Sequence, residues 1–165
     1  MSMLSAGTPM FLMGDEVGAQ KAYTYDKFNE NKEDLEALRR GTGAYLFKFY
    51  QDIIRFRLAN PSFRARNIEV IHINNAARVL AFRRWQDGAE YLVAASLNNA
   101  AFDNPSYILS HPCLGRAGWR ECFNSDSATY GGSNIGNRGA TLRAGGGSLG
   151  LVIPANGFVV LERTV

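Results

Sequence analysis

The segments Ile68-Glu69-Val70-Ile71-His72-Ile73, Arg78-Val79-Leu80-Ala81-Phe82-Arg83-Arg84-Trp85 and Glu90-Tyr91-Leu92-Val93-Ala94-Ala95-Ser96-Leu97 follow one another with only short turns between them. Each is rich in β-branched or aromatic residues, which fit a pleated, half-buried surface better than a helix. Turn chemistry bounds them: Asn74-Asn75 after the first, Asp87-Gly88 after the second and Asn98-Asn99 after the third. Asp87-Gly88 suits a two-residue hairpin turn with positive φ at both positions, so the second and third segments are expected to pair antiparallel.

The same signature continues toward the carboxy terminus. Tyr107 to Leu109, Trp119 to Phe123, Thr141 to Leu142, Gly150 to Ile153 and Phe158 to Arg163 read as strands, set apart by Gly131-Gly132, Gly145-Gly146-Gly147 and Asn156-Gly157. Seven or eight short antiparallel strands with no helix among them predict a β-sandwich over residues 63–165, and so a mainly-β fold.

Toward the amino terminus the period changes at Pro61. From Tyr45 to Asn60, residues Leu46, Phe49, Tyr50, Ile53 and Arg57 recur at steps of three and four, as on one face of a helix. Pro61 ends it, because the residue before a proline is pushed out of the helical region. Lys32 to Arg40 predicts a shorter helix closed by Gly41. Further back, Thr8-Pro9-Met10-Phe11-Leu12-Met13 lies between Gly7 and Gly14-Asp15-Glu16 and reads as a strand of the parallel type, buried on both faces. Residues 17–31 read as a long loop carrying Tyr23, Tyr25 and Phe28. Residues 1–62 therefore form a strand-loop-helix unit ahead of the sandwich.

With 46% hydrophobic and 20% charged residues the chain has the composition of a folded globular protein. Its net charge is +3, and its arginines are scattered, without the basic stripe of a nucleic-acid binder. No apolar run reaches the roughly 18 residues of a membrane span, and no signal-peptide pattern opens the chain, so a cytoplasmic location is expected. Cys113 and Cys122 are expected as reduced thiols, since no His or carboxylate ligands stand beside them at zinc-like spacing. His72, flanked by Ile71 and Ile73, should project from the opposite face to those isoleucines. His111 sits in a loop before Pro112, and neither histidine has neighbours that suggest a metal site. Neither Gly145-Gly146-Gly147 nor Gly131-Gly132-Ser133-Asn134 leads into a helix carrying a lysine, so both read as turns and no cofactor is expected.

Two motifs narrow the reading. Gly7 to Glu16 resembles the segment around the eighth barrel strand of the α-amylase superfamily, and Phe49 to Arg57 resembles its eighth helix. Trp119-Arg120-Glu121-Cys122-Phe123-Asn124-Ser125-Asp126, with Tyr130-Gly131-Gly132-Ser133-Asn134-Ile135-Gly136-Asn137, is similar to the W-R-E-x-x-N-S-D…Y-G-G-S-N pattern in the carboxy-terminal domain of glycogen branching enzymes. Ile153 to Leu161 resembles the last strand of that domain. The resemblance implies that residues 1–62 are the end of a (β/α)8 catalytic barrel and residues 63–165 its all-β companion. A whole barrel needs about 250 residues, so the first seven strand-helix units are expected to be missing.

That resemblance implies a parent enzyme that transfers an α-1,4-linked glucan segment to a 6-hydroxyl. Its chemistry uses a nucleophilic carboxylate and a carboxylic acid about 5 Å apart. In the family these acids sit on earlier barrel strands, so no residue here is expected to be catalytic. Asp15 and Glu16 are expected at most to line the substrate face of the parent, because barrel active sites lie at the carboxy-terminal ends of the strands. Trp85, Tyr23 and Tyr25 are candidate carbohydrate contacts. Trp119, which opens a motif strand, is expected in the core.

Two roles are in competition. The first is structural: the sandwich supports the barrel's last helix and has no activity alone. The second is a binding module that holds α-glucan on its surface. The parent itself is open between a branching enzyme and an α-amylase-type hydrolase. The expected partners are the missing barrel, α-glucan, and a second copy meeting the orphaned face of residues 1–62.

Overall fold

A computed structural model of the chain describes residues 1–21, 26–27 and 29–164. Two helices precede eight strands: α1 (Leu35–Arg40), α2 (Ala44–Ala59), β1 (Ile68–Asn74), β2 (Val79–Gln86), β3 (Ala89–Ser96), β4 (Phe102–Ser110), β5 (Gly118–Asn124), β6 (Thr141–Arg143), β7 (Ser148–Ile153) and β8 (Phe158–Thr164). All pairings are antiparallel. A six-stranded sheet runs β1-β2-β3-β8-β5-β6, and a two-stranded sheet pairs β4 with β7.

Every strand expected of the sandwich over residues 63–165 is present, and the hairpin at Asp87-Gly88 is a two-residue turn with φ of 51° and 84°. An aspartate tolerates that left-handed conformation better than most residues with a side chain and a glycine adopts it freely, which is why the pair marks such turns.

The large sheet is buried on both sides. Facing the small sheet lie Val79, Ala81, Leu92, Ala94, Trp119, Val159 and Leu161, which meet Leu109, Leu149, Leu151 and Ile153 of β4 and β7. On the other side Phe82, Tyr91, Val93, Phe123, Phe158 and Val160 pack against Ile53 of α2, Phe63 and the amino-terminal Met3 and Leu4. Double coverage explains why β3 and β8 read as continuous apolar runs without polar alternation. The result is three layers: helix, large sheet, small sheet.

Three expectations are corrected. Thr8 to Met13 forms no strand; Met10, Leu12 and Met13 are 86%, 63% and 68% exposed. A parallel strand is held by ladder bonds to neighbouring strands, and among the described residues no strand pairs with it. The shorter helix starts at Leu35 and not at Lys32, because the Asp34 side chain accepts from the Ala37 N–H and caps it there. Finally, a β-bulge between Val70 and His72 breaks the alternation of β1. Ile71 is buried between the sheets, His72 reaches the Tyr107 hydroxyl of β4 at 2.7 Å on that same side, and Ile73 is left 67% exposed. The inserted residue shifts the phase that a strict period of two assumes.

Candidate functional site

Helix α2 stands on the large sheet through its aromatic residues. Phe49 makes edge contacts with Phe123, Tyr130 and Phe158 at ring-centroid distances of 6.1, 5.4 and 6.2 Å, and Phe56 lies 5.2 Å from Phe63 and 5.3 Å from Phe123. Aromatic pairs at such spacing add roughly 0.5–1.5 kcal/mol each beyond their buried area. At its end, Asn60 turns extended before Pro61 and its side chain donates to the Phe56 carbonyl at 2.7 Å.

Two buried arginines tie the amino-terminal segment to this joint. Arg57 donates to the carbonyls of Met3, Ser5 and Gly7, and Arg84 to those of Leu4, Ala65 and Asn67. Neither bond set involves a carboxylate. The guanidinium fork satisfies three carbonyls that an apolar side chain would leave bare.

The motif residues form the other half of the joint. Trp119 is fully buried between the sheets, as its place in a motif strand implied. Glu121 is buried, and its carboxylate accepts from the Asn137 backbone N–H at 2.6 Å, the Asn137 side chain at 2.9 Å and the Gly139 N–H at 3.2 Å. Asp126 accepts from the N–H groups of Ser133 and Ile135, and Asn134 accepts from that of Ala128. Asn124 donates to the Ile135 carbonyl. Residues 126–139 are thus a loop fastened to β5 by Glu121, which accepts, and Asn124, which donates, and braced internally by Asp126 and Asn134. Tyr130, carried on this loop, donates from its hydroxyl to Asp52 of α2 at 3.1 Å. Burial first, and then the Asp52 carboxylate, push the Tyr130 phenol up to about 12. Sequence reading took 131–134 as a turn; the clamp by Glu121 and Asp126 was not visible because it joins residues distant in the chain.

Asp15 and Glu16 occupy a short 3-10 turn, Asp15–Val17. Asp15 accepts from the Leu12 N–H at 2.9 Å and Glu16 from the Gly14 N–H at 2.8 Å. Both carboxylates therefore hold their own turn. Close by, the Phe11 ring lies tilted against Tyr50 of α2 with centroids 5.0 Å apart, and the Tyr50 phenol is raised by burial first and then by the charges of Asp15 and Glu16.

The other candidates do not gather at this place. Trp85 is half-buried, with the Arg83 guanidinium 4.5 Å above its ring, and Arg83 in turn pairs with Glu69 and Glu90. Tyr23, Tyr25 and Phe28 lie outside the described residues. Cys113 and Cys122 are free thiols. Among the described residues no group of His, Cys, Asp or Glu side chains is placed to hold a metal ion.

Comparison with known proteins agrees with this architecture. The 1,4-alpha-glucan branching enzyme GlgB of Dechloromonas aromatica is 32% identical, over 98% of this chain and 27% of its own length. The enzyme of the same name from Burkholderia lata is 45% identical over 81% of the chain and 18% of its own length. The chain thus spans about a quarter or less of these relatives. Among solved structures, the alpha-amylase from H. orenii superposes with a TM-score of 0.65 at 23% identity, covering 98% of this chain and 33% of that one. The debranching enzyme from Nostoc punctiforme gives 0.66 at 16% identity, with 97% and 29% coverage. At such identities these two structures speak for the fold alone. The family model of the alpha amylase C-terminal all-beta domain matches residues 71–164, more than half of the chain and all of β2 to β8, and the chain belongs to that family.

Proposed function

We infer that this chain is the carboxy-terminal part of a 1,4-α-glucan branching enzyme acting in glycogen synthesis. Residues 1–62 would belong with the catalytic barrel, and residues 63–165 would form the all-β domain that buttresses its last helix. The observation that carries this reading is the joint itself: α2 shares one aromatic core with the large sheet, and the Tyr130 loop grips it at Asp52. A relative named as a branching enzyme aligns across both parts of the joint.

By itself the chain supports and does not catalyse. Glucan transfer with retention needs two carboxyl groups about 5 Å apart across the scissile bond. Asp15 and Glu16 are adjacent, and each is engaged by a backbone amide of its own turn. In the assembled enzyme they would edge the substrate face at the end of the eighth strand. A cytoplasmic location goes with this reading, and the unpaired thiols Cys113 and Cys122 favour it.

A chimera tests the assignment. Residues 1–165 replace the matching region of the Dechloromonas aromatica relative, and branching is followed as the fall in iodine absorbance of amylose without growth of reducing ends. Restored branching is the expected result, with none from the isolated chain. A folded chimera that does not branch, whether it releases reducing ends or is inert, would sink the reading.

A further inference from the structure

The segment that joins α2 to β1 carries an open recess of about 450 Å³, lined by residues 61, 64–67 and 86–87. Its size falls within the roughly 300–1,000 Å³ of small-ligand sites. Arg64 and Arg66 are exposed on its wall, and among the described residues neither has an ion pair, whereas Arg83, Arg120 and Arg163 elsewhere on the sandwich each do. The one acid at the rim is Asp87. It accepts from the Gln86 side chain at 2.9 Å, Gln86 is itself held by the Asn67 side chain at 3.1 Å, and among the described residues no arginine pairs with Asp87.

More positive charge lies beneath. Arg84, fully buried, donates to the Ala65 and Asn67 carbonyls at 2.7 and 2.9 Å, so the negative ends of two lining peptides are turned inward and already bonded. Burial first, and then Arg57, push the Arg84 guanidinium below its ordinary value; burial first, and then Arg64, do the same to Arg57. Guanidinium groups stay protonated all the same. Arg57, Arg64 and Arg84 thus repel one another in sequence, and among the described residues none of the three is neutralised by a carboxylate.

We propose that this recess binds the phosphate of a small phosphate monoester. A monoester carries about −1.5 to −2 charge at neutral pH, which matches two unpaired arginines on the wall better than a singly charged carboxylate does. The planar guanidinium fork suits phosphate oxygens, which it can engage with two parallel N–H bonds. The buried charge of Arg84 adds attraction that solvent screens less than it screens the exposed pair. Space remains for the neutral body of the ester, with the exposed Pro61 ring and the Gln86 amide as its neighbours.

Position gives the site a consequence. Pro61 opens the 3-10 turn Pro61–Phe63 directly after α2, and the Phe63 ring lies 5.2 Å from Phe56 of that helix. An anion that draws Arg64 and Arg66 together fixes the segment by which the chain leaves α2 for β1, and so stiffens the joint. This inference does not depend on the branching-enzyme reading.

The test uses the full 165-residue chain at constant ionic strength. It is titrated with glucose 6-phosphate, with inorganic phosphate and with glucose, followed by NMR shifts, and a polyglutamate peptide is titrated in parallel. Saturable shifts at residues 61–67 and 86–87 are expected with glucose 6-phosphate and none with glucose. Equal affinity for inorganic phosphate would show that the phosphate alone is recognised, and a lower one that the ester's body contributes. Arg64→Ala with Arg66→Ala, both on exposed sites, should weaken binding by about tenfold or more. Asp87→Asn, which keeps a residue suited to positive φ and removes the rim's negative charge, should tighten it by about twofold. Arg116→Ala, an exposed arginine outside the recess, should leave it unchanged. Thermal melts should rise with glucose 6-phosphate in wild type and not in the double variant. The proposal fails if neither phosphate gives saturable shifts at those residues, if the double variant binds as wild type does, or if Arg116→Ala weakens binding as much. Polyglutamate binding there while both phosphates fail would overturn it in favour of an acidic protein segment.

Discussion

Replacing Glu121 should loosen the joint more than any other single polar change on β5. Its two carboxylate oxygens accept three N–H donors, two from Asn137 and one from Gly139, in a site only 8% exposed. Hydrogen bonds to a charged acceptor contribute about 1.5–3 kcal/mol each, and a buried donor left bare costs about 1–3 kcal/mol. Glu121→Ala removes all three, but some of the freed donors will find water through the loop edge. We expect a loss of about 3–5 kcal/mol, at the upper end of what single substitutions do. Glu121→Gln keeps one oxygen for the Asn137 pair while turning an amide N–H toward Gly139, so about 1–3 kcal/mol is expected. Urea unfolding followed by tryptophan fluorescence measures both, since Trp119 is fully buried two residues away. With a slope of about 2 kcal/mol/M, the Ala variant's midpoint should fall by about 2 M at unchanged slope. A double-mutant cycle with Asn137→Ala should show coupling above about 1 kcal/mol. A Glu121→Ala midpoint indistinguishable from wild type would refute the clamp.

Three further outcomes follow from the same geometry. Asp52 is held below the ordinary carboxylate range, chiefly by Lys48, with Tyr130 helping and partial burial opposing. A depressed carboxyl contributes stability that is present above its unfolded value near about pH 4 and is lost as pH falls through the folded value. Asp52→Asn should therefore lose less stability than wild type between about pH 5 and pH 2, and parallel acid limbs in thermal melts would contradict the linkage. The Cys122 thiol is pushed up to about 12 by burial first and then by Glu162, and it donates to the Val160 carbonyl. Iodoacetamide at about pH 8 should label it at least about a hundredfold more slowly in the folded chain than in urea, as read by mass spectrometry, because only the thiolate reacts; equal rates would argue against that burial. Met10, Leu12 and Met13 give one short segment an exposed apolar face. Light scattering should show the isolated chain's mass rising with concentration and Leu12→Glu reversing this, whereas a monomeric wild type at high concentration would rule out pairing through that face.

The strands were legible because each carries its own signal. Asp87-Gly88, Asn156-Gly157 and Gly146-Gly147 mark tight turns that local backbone geometry alone imposes, and positive φ is found at all six residues except Gly157. What was hidden depends on partners. The six residues from Thr8 to Met13 have the composition of a buried strand, yet composition supplies neither a ladder neighbour nor a cover, and the segment lies exposed. The bulge at Ile71 inserts a residue without any glycine to announce it. Arg57 and Arg84 looked like ordinary members of a helix stripe and a strand; their buried donor forks became visible only when Met3 to Gly7 were seen folded against them. For the candidate site, the residue types were in view but not their employment: Asp15 and Glu16 spend their oxygens on their own turn, and Trp85 lies under a guanidinium.

The motif that marks the family is thus best understood as a joint. Trp119 fills the core between the sheets, and two positions on, Glu121 fastens the far end of the loop. Asn124 and Asp126 fasten its middle, and Tyr130 at its near end reaches across to Asp52 of α2. Along β5, successive side chains alternate between faces, with one extra residue at the bulge between Glu121 and Phe123. That bulge lets Phe123 join the helix-side core while Trp119 stays in the inter-sheet core. A single strand therefore contributes to both cores and to the loop that grips the helix. Moving any one of these residues would displace the surface on which α2 stands.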